Sequence, residues 1–164
     1  MIDLTFNPSE NCSYTLCGAK QVPHTEENAM SLITWSDKLS VGFAEIDNQH
    51  KKLIAIINEL HDAMATGHGK DILVKVLDQL VDYTVYHFKT EERLMKTNGY
   101  DDKVNHEEQH ANLVKTASEL QVSVRSGTTN LTLTTMHFLR DWLNHHILGS
   151  DMKLGKFLNT KVTH

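Results

Sequence analysis

Residues 105–110 read NHEEQH, a His-Glu-x-x-His pattern. On a helix, His106 and His110 would share one face, one turn apart. That is how zinc proteases hold their metal, with a glutamate such as Glu107 as base. Such a protease also needs a third ligand from another element and a strand edge to bind its peptide. No strand pattern occurs in this chain, so peptide cleavage is not expected. The pair belongs to a larger set. His87 and Glu91 are also four residues apart, and His50 and His146 stand in apolar segments of their own. The chain has eleven histidines, nine of them from His50 to His146. Imidazole is the commonest side-chain metal ligand, so metal binding is the chemistry to test.

The elements that must position these residues are helices. An apolar period of 3.6 runs from about Ile46 to Thr66 and stops at Gly67, through His50, Leu53, Ile54, Ile57, Leu60, His61 and Met64. A second helix is expected from about Asp71 to Thr97, ending at Asn98-Gly99; its stripe is Leu73, Leu77, Leu80, Thr84, His87, Glu91 and Leu94. Glu92 is rotated about 100° from that stripe and should lie outside the site. The third helix covers about Asp102 to Arg125, with His106, His110, Leu113, Ala117, Leu120 and Val124 in line. The fourth begins near Asn130 or Thr132, both plausible caps, and carries Thr135, Leu139, Trp142, Leu143, His146 and Ile147.

Four helices with short connections and no strands predict an all-α, antiparallel up-down-up-down four-helix bundle. In that topology early and late positions alternate between neighbours. His50, His87, Glu91, His106, His110 and His146 therefore fall at one end of the bundle, each on its helix's apolar stripe. A single histidine on such a face is more often a hydrogen-bonded core residue. Five at one level, with a carboxylate among them, would leave unsatisfied polar atoms, each costing about 1–3 kcal/mol. A metal resolves that cost.

Length and composition agree with one domain. Of 164 residues, 40% are apolar, enough for a single packed core. The net charge of −5 and the lack of a basic run argue against nucleic acid or an anionic membrane as partner. No apolar stretch reaches membrane-spanning length, and no secretory leader pattern is present at the N-terminus, so a cytoplasmic protein is expected. Residues 1–29 carry both prolines, both cysteines and no clear period; they are expected to form a flexible N-terminal extension to a bundle of residues 30–164. Cys12 and Cys17 cannot cross-link the core, and reduced thiols are the plain expectation for them.

The segments HFKTEE, NHEEQH and WLNHHILGSD, with IDNQH upstream, resemble the hemerythrins, specifically the single-domain bacterial ones. ITW, VGFAEIDNQHKKL and NGY fit the same family, and the resemblance runs from about Ile33 to the C-terminus. It implies two non-haem iron ions (Fe2+/Fe3+) with a bridging oxo or hydroxo group. His50 and His87 would bind one iron, His106, His110 and His146 the other, and Glu91 and Asp151 would bridge them. Asp151 follows His146 by five residues, which a regular helix would carry round to another face. A widened turn around Gly149 is therefore expected.

The resemblance also implies a function. Three histidines, two carboxylate oxygens and a solvent-derived bridge complete one iron, whereas the two-histidine iron keeps an open position for a small molecule. Reversible dioxygen binding is the expected role, as carrier, store or delivery protein, with no enzymatic turnover. Dioxygen is then the ligand, and an oxygen-using enzyme is a candidate partner. Phe88, Trp142, Leu143 and Ile147 are expected to form an apolar oxygen pocket. The main alternative is an oxygen- or redox-sensing, or iron-handling, di-iron module without reversible carriage. Imidazole suits several metals, so ligand chemistry alone does not choose iron. Ferritin-like oxidases use more glutamates and two Glu-x-x-His elements, and the His61-Asp62 doublet, reminiscent of helical phosphohydrolases, stands three turns from His50.

Overall fold

The computed structural model describes residues 31–162, and every described element is helical. The expectations for residues 1–29, including Cys12 and Cys17, lie outside the described residues. Four long helices form the bundle: α1 (Ala44–Ala65), α2 (Lys70–Asn98), α3 (Lys103–Ser126) and α4 (Leu133–His146). α4 passes through a wide π-turn (Ile147–Asp151) into α5 (Met152–Val162) without leaving helical backbone. No helix among the described residues is long and apolar enough to cross a membrane.

The boundaries follow local chemistry. α2 ends at Gly99, whose φ of 68° lies in the left-handed region, and its N–H returns to the Met95 carbonyl. Glycine adopts that conformation without steric cost. Thr132 caps α4 by accepting the Thr135 N–H at 3.2 Å. Ahead of α1, Asp47 draws the chain down: it accepts the Val41 N–H at 2.8 Å and the Ser40 hydroxyl at 2.6 Å. Asn58 holds the preceding segment by a reciprocal pair with the Ile33 backbone, at 3.0 and 2.9 Å.

α1 lies against α2 and α4, and α2 against α3. The apolar interior includes Ile56, Ile57, Leu60, Leu77, Met136 and Leu143, all nearly solvent-free. Three stripe expectations need correction. Ile56 is fully buried although it lies off the expected α1 stripe, and His61, placed on that stripe, is only half-buried. Leu113, Ala117 and Leu120 of α3 are half-buried, because α3 packs mainly on α2 and borders a groove toward α4. The outer end of the bundle is closed as well. Ile46 precedes His50 by one turn, Met95 follows Glu91 by one turn, and Leu154 and Leu158 extend α5 past Asp151. All four are essentially buried. The polar layer is therefore sandwiched between apolar ones.

α5 reaches this position through one close approach. A Cβ on Gly155 would stand 2.2 Å from the Val41 carbonyl oxygen, so only glycine lets α5 cross that segment without displacement.

Candidate metal centre

Each helix contributes from its apolar face: α1 gives His50, α2 gives His87 and Glu91, α3 gives His106 and His110, and α4 gives His146. The π-turn supplies Asp151. A turn of i to i+5 periodicity returns Asp151 to the His146 side, which a regular helix would miss by about 140°. Gly149 is not what permits the widening: its φ is not positive, and an added Cβ would meet nothing within 4 Å. Ser150 ties the turn to α3 by donating to Gln109 Oε1 at 2.6 Å.

The structure brings all seven expected ligand residues together and buries each of them. They divide into two overlapping sets, Glu91–His106–His110–His146–Asp151 and His50–His87–Glu91–Asp151, with donor atoms in each within 4.8 Å of one another. The carboxylates are shared oxygen by oxygen. Asp151 turns Oδ2 to His50 Nε2 at 3.2 Å, and Oδ1 to His106 Nε2 and His146 Nε2, both at 3.1 Å. Glu91 turns Oε1 to His87 Nε2 at 3.8 Å, and Oε2 to His110 Nε2 at 3.1 Å and His106 Nε2 at 3.7 Å. One oxygen of each carboxylate thus faces the two-histidine side and the other the three-histidine side.

The donor chemistry fits a pair of metal ions. Nine buried side-chain atoms lack a hydrogen-bond partner among the described residues, and all nine belong to these seven residues. They include both Glu91 oxygens and the Nε2 atoms of His50, His87, His110 and His146. Native interiors rarely leave such atoms unpaired, and here the Nε2 atoms and carboxylate oxygens among them converge.

Electrostatics keep the imidazoles available. Burial, reinforced by His50, pushes the His87 pKa down to about 3. Burial, with His106 and His146 adding to it, pushes His110 down to about 2. Both rings are neutral near pH 7, as a ligand must be. Burial, then Asp151, then Glu92 push Glu91 well above the ordinary carboxylate value. Burial works against ionising Asp151 too, but His146 and contacts with His106 and His50 hold it well below its usual range. The two carboxylates are driven apart by their different surroundings.

Two residues around the site escaped the sequence reading. Gln49 Oε1 accepts His87 Nδ1–H at 2.9 Å, and Gln49 Nε2 donates to Thr90 Oγ1 at 3.3 Å. Glu92 Oε1 accepts His110 Nδ1–H at 3.2 Å. Glu92 is indeed off the His87–Glu91 face, as expected, but its carboxylate reaches across to α3. Adjacency to a ligand in the sequence was the only available sign, and it is too common to single them out.

Of the four residues expected to form an oxygen pocket, two line an internal cavity. Trp142 and Leu143, with Leu53, Leu80 and Leu139, enclose about 20 Å³ of apolar space. A surface groove of about 370 Å³ between α3 and α4 shares Leu113, Thr116, Phe138 and Trp142 with it. Phe88 does not line this cavity. It stacks on His110, ring centroids 3.7 Å apart and planes 4° from parallel. Ile147 is fully buried beside His146 and lines neither space. His61, His68, His137 and His145 lie outside the cluster.

Fold and site together define an all-helical bundle with a buried polyhistidine–carboxylate centre. The hemerythrin HHE cation-binding domain matches residues 41–158, and the chain belongs to that family. It is 41% identical over 133 residues to a bacteriohemerythrin of Methylococcus capsulatus, covering 79% of this chain and 99% of that one. A Pseudomonas aeruginosa bacteriohemerythrin is 36% identical over 122 residues, or 74% of this chain and 78% of that one. The crystal structure of a wild-type hemerythrin superposes with a TM-score of 0.74 at 38% identity, covering 77% of this chain and 98% of that one.

Proposed function

We propose that this protein binds dioxygen reversibly at a non-haem di-iron centre held by His50, His87, Glu91, His106, His110, His146 and Asp151. The observation that carries this reading is the division of both carboxylates between unequal histidine sets. Glu91 and Asp151 would be shared between the two ions, with His50 and His87 holding one and His106, His110 and His146 the other. When bound, the iron pair with its oxo or hydroxo bridge supplies reversible two-electron exchange with dioxygen. The chain's own contribution is asymmetry, since the two-histidine side offers one imidazole fewer. The apolar wall at Leu143 and Trp142 and the closed outer layer exclude water from the centre. Membership of a family whose relatives are named hemerythrins supports a binding role over turnover.

Metal analysis with visible spectra under argon and then air tests this. Two irons per chain and a spectrum that changes in air and reverts on oxygen removal are expected. One zinc per chain, or irreversible oxidation at the first exposure, would refute it. Irreversible oxidation with two irons bound would favour the sensing or iron-handling reading.

A further inference from the structure

Gln49 and Glu92 each sit beside a centre residue in sequence, yet each serves a histidine on the next helix. Gln49 of α1 takes the outer nitrogen of His87 on α2. Glu92 of α2 takes the outer nitrogen of His110 on α3. The contacts have the same geometry, a ring Nδ1–H donated to a side-chain oxygen, with Nε2 left bare toward the centre. They differ in charge. Gln49 is a neutral amide, buried and fixed by its own bond to Thr90. Glu92 is a carboxylate about one-third exposed, so its charge stays partly hydrated. His110 is also clamped by shape: Phe88, one turn before Glu92 on α2, covers its ring face.

We infer that Glu92 is a positioning residue that makes the three-histidine position the more electron-rich of the two, acting through His110, while Gln49 orients His87 without adding charge. This rests on the di-iron reading above. A carboxylate accepting the outer N–H of an imidazole fixes its tautomer and raises its donor strength, and does so more than an amide, because the bond is charge-assisted. The inner set holds only two carboxylates against two ions of charge two or three. A third carboxylate bonded to a ligand ring therefore favours the higher oxidation state at its own side. Five similar imidazoles would otherwise leave the two positions distinguished by number alone.

The test uses the full chain loaded with iron, compared with Glu92→Gln, Glu92→Ala and Gln49→Glu. Glu92→Gln keeps the hydrogen bond and removes the charge; iron stoichiometry should stay at two while the midpoint potential rises. Gln49→Glu should lower it. Glu92→Ala removes the bond as well and should make metal about 10–100-fold easier to extract, read with cobalt(II) and a competing chelator so that no redox step intervenes. Helicity of each variant is recorded alongside. A potential unmoved by Glu92→Gln, with metal retention unmoved by Glu92→Ala, overturns the inference and leaves a surface hydrogen bond. Failure of the unsubstituted chain to hold two irons overturns the di-iron reading itself, and is seen before any variant is made.

Discussion

Asp151 follows His146 by five residues, and its Oδ1 nevertheless lies 3.1 Å from His146 Nε2. Only the π-turn between them makes that distance reachable. Inserting an alanine after Gly149 should carry Asp151 one residue further round the helix, about 100° from its place beside His146. Loss of at least one of the two metals is expected, with helicity kept. Gly149→Ala should bind both, since its backbone is not left-handed and the added methyl meets nothing. Metal content of the two variants decides the matter; full loading of the insertion variant would show that the register of Asp151 set by the wide turn is dispensable.

Leu143 is almost fully buried and lines the small apolar cavity. Leu143→Ala should cost about 2–5 kcal/mol, read from urea unfolding. As a water-excluding wall it should also hasten loss of the oxygenated spectrum at temperatures where the variant stays folded. An unchanged decay rate would leave Leu143 a packing role only.

Gly155→Ala drives a methyl to 2.2 Å from the Val41 carbonyl oxygen. Backbone must move, and a loss of about 1–3 kcal/mol is expected. Because α5 leads directly out of Asp151, weakened metal retention should accompany it. A thermal midpoint equal to that of the parent would mean that the segment around Val41 yields freely.

The metal-free chain should be acid-sensitive in a defined window. His87 and His110 have folded pKa values lowered to about 3 and about 2 from an ordinary 6.5. The unfolded chain therefore binds protons that the folded chain refuses, so this stability is full above 6.5 and is lost as pH falls toward 3. Glu91 acts in the opposite sense: its raised pKa takes stability away as pH rises through its ordinary 4.5. Two histidines outweigh one carboxylate, so urea midpoints of the metal-free protein should fall between neutral pH and about pH 5. With metal the fall should be steeper, since protons compete for every ligand. A flat profile in the metal-free chain would show that the rings charge without penalty.

Much of the fold was legible because helices announce themselves locally. The apolar period, with Gly67, Gly99 and Gly127 as stops, located the first three helices to within about two residues of Ala44–Ala65, Lys70–Asn98 and Lys103–Ser126. All three glycines have positive φ. Exposure was harder to read. Periodicity gives the direction of a side chain from its own helix but not how closely the neighbour approaches, so half-buried Leu113 and Leu120 looked like core and Ile56 did not.

By itself, the sequence determined which residues share a face and, through antiparallel alternation, that five histidines and Glu91 meet at one level. Those facts depend only on rise and rotation along each helix, which are the same in every α-helix. Asp151 joined them through resemblance, and the π-turn supplies its physical reason. Only the tertiary structure decided which carboxylate oxygen faces which histidine, that Phe88 stacks on His110 rather than lining the cavity, and that Glu92 reaches across to α3. Each of these is a distance between helices. Such distances are set by the packed sum of all intervening side chains, and no single segment of sequence contains them.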